Sequence, residues 1–205
     1  MIRNNVLLLC ALCLVGCSTS NPPRDAHLTM SSEAPPEFKV NFDTSKGTFV
    51  VEVHRDWAPQ GVDRFYELVQ SGFFNEARFF RVVPNFVVQF GINKDPEVQS
   101  KWRTANIQDD PVKQSNQRGY LVFATAGPGT RTTQLFINLR DNSSSLDPQG
   151  FAPFAKVTEG MDVVDNLFSG YGEAPQQPMI QSQGNQYLTS QFPNLDYVKS
   201  AKVVK

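Results

Sequence analysis

Between residues 38 and 204 the apolar side chains come in runs of four to seven positions that alternate with polar ones or halt at Gly, Pro or Asn. This punctuation narrows the fold more than any other feature, because strands of that length are easily built and long helices are not. Phe38-Lys39-Val40-Asn41-Phe42 and Thr48-Phe49-Val50-Val51-Glu52-Val53-His54 alternate on either side of Ser45-Lys46-Gly47, which predicts a hairpin. Residues 79–83, 86–90, 120–124, 135–139, 154–157 and 201–204 read as further strands. Two windows repeat at helical spacing. Val62, Phe65, Tyr66 and Val69 recur between Pro59 and Gly72, with Asp56 as the expected cap, and Met161, Val164, Leu167 and Phe168 share one side of a helix expected over 160–168. About eight strands, two helices and no strand-helix alternation predict a mostly-β domain, an antiparallel sheet closed into a barrel with helices over its ends. Residues 93–118 and 171–197 show no period and are expected to be long loops, functional or decorative.

Sixteen of the 205 residues are Phe and 40% are apolar, enough for a large aromatic core and incompatible with a disordered chain. Nineteen basic against 20 acidic residues give a net charge of -1, with no positive excess to hold a phosphate backbone, so nucleic acid is excluded as a partner. The three cysteines, Cys10, Cys13 and Cys17, all precede residue 18, which leaves the folded part without disulfides or thiolate metal ligands. His27 and His54 stand alone, and Asp109-Asp110 has no companion ligand and reads as a solvated loop pair, so no metal site is expected.

The N-terminus reads as an address. One Arg and no acid precede the apolar run at residues 6–15, too short to span a bilayer, and the run ends in Leu14-Val15-Gly16-Cys17. That ending resembles the lipobox of bacterial lipoproteins, which implies cleavage after residue 16 and acylation of Cys17. Ser18 in place of Asp resembles the outer-membrane class, facing the periplasm. The Pro- and Ser-rich residues 17–36 are expected to be an extended tether to the membrane, and residues 37–205 the folded domain.

The segment Phe79-Phe80-Arg81-Val82-Val83-Pro84-Asn85-Phe86-Val87-Val88-Gln89-Phe90-Gly91 sets one Arg and one Gln inside an apolar double strand, where each must reach solvent or a partner. Alternation alone puts both on the outer face of the sheet. Downstream come Gly119-Tyr120-Leu121-Val122-Phe123-Ala124-Thr125-Ala126-Gly127-Pro128-Gly129-Thr130 and Thr133-Gln134-Leu135-Phe136-Ile137. Together with Gly47-Thr48, Ala58-Pro59, Leu146-Asp147, Phe154-Ala155-Lys156-Val157 and Glu159-Gly160-Met161, in that order, these resemble the cyclophilin-type peptidyl-prolyl isomerases over residues 38–168.

The resemblance implies a closed eight-stranded antiparallel barrel capped by two helices, with a substrate groove on its outer face. It implies catalytic roles for Arg81 and Gln89 and substrate contacts from Phe86, Val87, Ala124, Thr125, Ala126, Gln134, Phe136, Leu146 and Phe151. It also implies rotation about X-Pro bonds of proline-containing polypeptides, with no cofactor and no metal. A non-catalytic proline-peptide binding module is the alternative. The chain departs from the pattern at Val87 (Met in the family), Thr125 (often Asn), Ser145 (a pocket Trp in many members), Phe151 (the pocket His) and Phe80 (often His). The missing Trp implies weak cyclosporin binding. A barrel that closes on itself needs no partner, so a monomer is expected.

Overall fold

A computed structural model describes residues 33–204. The signal segment 1–16, Cys17 and the tether up to residue 32, His27 included, lie outside the described residues.

Eight strands form one sheet: β1 (Glu37–Thr44), β2 (Gly47–His54), β3 (Arg81–Val83), β4 (Val87–Phe90), β5 (Tyr120–Phe123), β6 (Leu135–Asn138), β7 (Pro153–Glu159) and β8 (Val198–Val204). Their order is β3-β4-β6-β5-β7-β2-β1-β8, and every neighbouring pair is antiparallel. The ladder does not close. Between its two edges run the single bridge Arg78–Tyr197 and the backbone bonds Glu76 N to Val198 O (2.7 Å), Val198 N to Ala77 O (2.9 Å) and Phe79 N to Asp196 O (3.0 Å). The expected closed barrel is therefore a half-barrel with a seam. At the seam β3 has only three residues, and the chain approaches it through a turn in which Glu76 takes a φ of 65°.

Eight phenylalanines, Phe42, Phe49, Phe65, Phe74, Phe79, Phe90, Phe123 and Phe154, are fully buried inside this sheet. Phe42 stacks on Phe49 at 4.8 Å between ring centres and meets Phe90 edge-on at 5.9 Å. Helix α1 (Pro59–Gln70) covers one opening with Val62, Phe65, Leu68 and Val69. Asp56 does not cap it. The free N–H groups of Gln60 and Gly61 instead donate to the carboxylate of Asp110, at 3.0 and 2.9 Å, and Arg131 pairs with the same carboxylate at 3.1 Å. Asp110 is thus a buried structural group and not the solvated loop residue expected.

Six α-helices and one 3-10 turn (Asp147–Gln149) occur among the described residues, against the two helices expected. The second expected helix is shorter than 160–168: α4 is Met161–Asp165, and beyond it the N–H of Phe168 donates to Asp196 Oδ2 at 2.8 Å instead of to a helical carbonyl. The aperiodic stretch 93–118 contains α2 (Pro96–Trp102), capped by Asp95 through the Glu97 N–H at 2.8 Å. A short α3 (Ser143–Leu146) follows β6, and the stretch 171–197 holds α5 (Gln177–Gln183) and α6 (Asn185–Gln191). Ile180 and Leu188 from this pair seal a second apolar cluster with Phe80, Ile92 and Leu195. Gly184 joins α5 to α6 at a φ of 57°, where a β-carbon would collide with the carbonyl oxygen of Lys94. Only glycine lets α5 settle against α2.

The packed domain also takes in residues 33–36. The Ala34 N–H donates to Asp63 Oδ1 at 2.9 Å, and Arg55 grips the same carboxylate at 2.8 and 2.9 Å while pairing with Glu33 at 2.6 Å. Burial pushes the Asp63 carboxyl up, but the bonds from Arg55 and Ala34 outweigh it and hold the group below its ordinary value.

Candidate active site

The period of two divides β4, β5 and β6 between two environments. Val88, Phe90, Leu121, Phe123, Leu135 and Ile137 join the interior core. Val87, Val122 and Phe136 face outward and, with Leu146, form a separate apolar floor flanked by half-buried Phe86, Ala124 and Phe151. Register then brings the polar residues to its rim: Arg81 lies opposite Gln89, and Gln89 opposite Phe136.

The floor and rim enclose a cavity of about 270 Å³ lined by Arg81, Phe86, Val87, Gln89, Ala124, Thr125, Phe136, Leu146 and Phe151, nine residues of the set predicted from sequence, together with Gln177. Ala126 and Gln134 line an adjoining chamber instead. Phe151 meets Phe136 edge-to-face at 5.6 Å, so the ring standing where the family has a pocket His closes the apolar wall. The Thr125 hydroxyl is occupied by its own turn, accepting from the N–H of Gly127 at 3.1 Å and bonding the Thr130 hydroxyl at 2.8 Å.

The Arg81 side chain is three-quarters buried. Its Nη1 donates to Gln89 Oε1 at 3.3 Å, and Gln89 Nε2 donates onward to Gln134 Oε1 at 2.9 Å. On the other side, Nε and Nη2 both approach Glu173 Oε1, at 2.7 and 2.6 Å. The guanidinium carbon lies 5.6 Å from the centre of the Phe86 ring. An arginine gripped from both sides has its fork oriented before substrate arrives.

Beneath the floor runs a chain of buried amides that sequence reasoning missed. Asn116 Nδ2 donates to Asp147 Oδ1 (2.7 Å) and to the Phe151 carbonyl (2.8 Å). Asn138 Nδ2 reaches Asn116 Oδ1 at 3.2 Å, and Asn142 Nδ2 reaches Asn138 Oδ1 at 2.8 Å and the Phe86 carbonyl at 3.0 Å. These bonds hold Phe86, from the β3–β4 turn, and Phe151, from the β6–β7 connection, at fixed spacing. Glu173 and Gln177 were also missed. The Gln-rich composition of 171–197 marks the segment as unusual, but nothing in it says which Gln returns to the cavity. His54 is remote, bonded to Glu52 at 2.9 Å and stacked on Trp57 at 4.1 Å.

An antiparallel half-barrel carrying an arginine and a glutamine over an outer apolar cup is the arrangement of a prolyl isomerase. A family model described as cyclophilin type peptidyl-prolyl cis-trans isomerase/CLD matches residues 39–184, and the chain belongs to that family. A peptidyl-prolyl cis-trans isomerase of Acinetobacter baylyi is 34% identical over 74% of this chain and 87% of its own length. Peptidyl-prolyl cis-trans isomerase B of Escherichia coli is 35% identical over 62% of this chain and 82% of its own. In fold, the chain is similar to the crystal structure of a Cryptosporidium parvum cyclophilin-type isomerase, with a TM-score of 0.59 at 20% identity over 82% of this chain and 98% of the other. A second structure of that protein, obtained in the presence of the dipeptide Ala-Pro, gives a TM-score of 0.58 over 82% of this chain and 99% of the other.

Proposed function

We propose that this peptidyl-prolyl cis-trans isomerase works on exposed X-Pro bonds of envelope or secreted polypeptides, as a monomer held at the periplasmic face of the outer membrane by acyl chains on Cys17. The observation that carries the site assignment is the placement of the Arg81 guanidinium at the rim of a cup otherwise made of Phe86, Val87, Phe136, Leu146 and Phe151.

The chemistry asks for no nucleophile. Amide resonance sets a barrier of about 18–20 kcal/mol, and an X-Pro bond crosses it unaided in roughly 10–100 s without any bond breaking. A catalyst need only bind the twisted amide more tightly than either planar isomer. As the bond twists, the prolyl nitrogen loses resonance and becomes basic. The cup holds the pyrrolidine ring by its apolar faces, while Arg81 donates a hydrogen bond to that nitrogen, an interaction nearly absent in the planar state. Gln89 restrains the guanidinium on one side and Glu173 on the other, so the donor need not reorganise as the amide turns. A gain of about 10⁴–10⁶ in rate needs roughly 5–8 kcal/mol of such selective binding.

The membrane address rests on residues 1–18, read from sequence alone. Acyl chains give near-permanent attachment, since each buried CH₂ adds about 0.8 kcal/mol. The substrate class rests on that address.

Two experiments test the proposal. Cis-to-trans exchange of a short X-Pro peptide is followed with the protein and with Arg81→Ala, and kcat/KM is expected to fall by about 10²–10³ with an unchanged melting temperature. Wild-type turnover in the variant overturns the role of Arg81, and a folded parent that accelerates nothing turns the reading toward a proline-peptide binding module. For the address, Cys17→Ala is expected to move the protein from the membrane fraction to the soluble one.

A further inference from the structure

The chamber beside the proline cup, about 340 Å³, takes its walls from the sheet and from both long loops. Its hydrogen-bonding polarity follows from fixed donors at its back. A guanidinium has no acceptor, so Arg81 obliges Gln89 to turn its Oε1 inward; the Gln89 NH₂ then goes to Gln134 Oε1, and what Gln134 has left for the chamber is its own NH₂. The same holds across the chamber. Gln99 is only 2% exposed, and its Oε1 accepts the backbone N–H of Asn93 at 2.8 Å, which again leaves an NH₂ to face inward. Four residues further on, Arg103 brings a guanidinium that forms no ion pair among the described residues.

No carboxylate lines this space. The acids around it are engaged elsewhere: Asp95 caps α2, Asp109 pairs with Arg131 at 3.2 Å, and Glu173 holds Arg81. Gln177 and Gln181, from α5, form the remaining wall and make no side-chain hydrogen bond among the described residues. The chamber thus presents two oriented amide donors, from Gln134 and Gln99, and one guanidinium without an ion pair among the described residues, beside threonine hydroxyls and two glutamines free to turn. The group it complements is an acceptor-only anion, a carboxylate.

We propose that this chamber receives an Asp or Glu side chain of the substrate, so that the protein selects X-Pro segments with an acid close to the proline. The inference rests on the isomerase reading of the adjoining cup. Cup and chamber share Gln89, Ala124, Thr125 and Gln177, and are therefore contiguous. A residue up to three positions from the proline reaches about 10 Å along an extended chain.

The test uses peptides identical except for Glu, Gln or Lys placed one, two or three residues from the proline on either side. At one position kcat/KM is expected to favour Glu over Lys by about tenfold or more, mainly through KM, with the preference shrinking as salt is raised. Arg103→Glu is expected to erase or reverse that ratio. Lys101→Glu makes the same charge change on α2 outside the chamber and is expected to preserve it. A ratio near one at every position overturns the proposal, as does a ratio that survives Arg103→Glu or that Lys101→Glu abolishes equally. If the wild-type protein accelerates no peptide at all, the isomerase reading fails by itself. Equilibrium binding of the same fluorescent peptides then decides the chamber separately: a Glu preference lost in Arg103→Glu upholds it, and equal affinities overturn it.

Discussion

Strands β4, β5 and β6 carry two faces built on different terms. Inward, Phe90, Leu121, Phe123, Leu135 and Ile137 are all but inaccessible and meet other side chains on every side. Outward, Val87, Val122 and Phe136 are nearly as buried, yet what covers them is a thin rim of loops around an open cup. The interior is held by volume, because a void there has no partner atoms. The outer floor is held by reach: buried amides fasten Phe86 and Phe151 from below and leave an open cup above. Equal burial therefore does not mean equal function, and the face that tolerates a cavity is the one that can bind.

The largest expected consequence of this contrast is in stability. Phe90→Ala empties the meeting point of Phe42, Phe74 and Phe79 and is expected to cost about 3–5 kcal/mol in chemical denaturation. Phe136→Ala removes a ring from a floor that already borders a cavity, and a smaller loss of about 1.5–3 kcal/mol is expected, with KM for a prolyl peptide raised roughly tenfold. Equal costs for the two would erase the distinction between the faces. Smaller again is a pH effect away from both. Asp63 is held below its ordinary value when folded, so the unfolded chain takes up its proton first as acid is added. The stability from its grip on Arg55 and Ala34 is present at neutral pH and is lost as pH falls below about 4 through the lower folded value. Asp63→Asn is expected to flatten that part of the thermal stability profile. Smallest is Glu173→Gln, where the carboxylate is 65% exposed and the melting temperature is expected to move by the equivalent of less than about 1 kcal/mol. Its effect is expected in kcat, by a few-fold, because the guanidinium loses one of its two restraints.

Much of the inner and outer division was legible in sequence, because a period of two assigns faces without any knowledge of loops. Alternation put Arg81 and Gln89 on the outer face, but it was the resemblance to the cyclophilin-type isomerases that set Phe86, Val87 and Phe136 beside them. The seam was not legible, since the length of β3 is decided by the turn at Glu76 and by competition from Asp196 and Val198, more than a hundred residues away. Helices α2, α5 and α6 have seven residues each, less than two turns and a half, and α5 and α6 bury one residue apiece, which leaves no period to detect. Asp110 looked solvated because its partners Gln60, Gly61 and Arg131 are brought to it only by the fold. Glu173, Gln177 and Arg103 went unread for the same reason.

The seam has a meaning for the protein among its own copies. β3 is an edge strand with a ladder on one side only, and an uncovered edge of this kind invites a strand from another molecule. Here residues 173–198 run along it: Glu173 takes Arg81, Ile180 and Leu188 cover Phe80, Asn185 bonds the Glu76 carbonyl at 2.9 Å, and Arg78 reaches the carbonyl of Leu195. The segment that walls the cup thereby also covers this edge, and a chain without it would present a bare edge strand and an apolar patch to its neighbours.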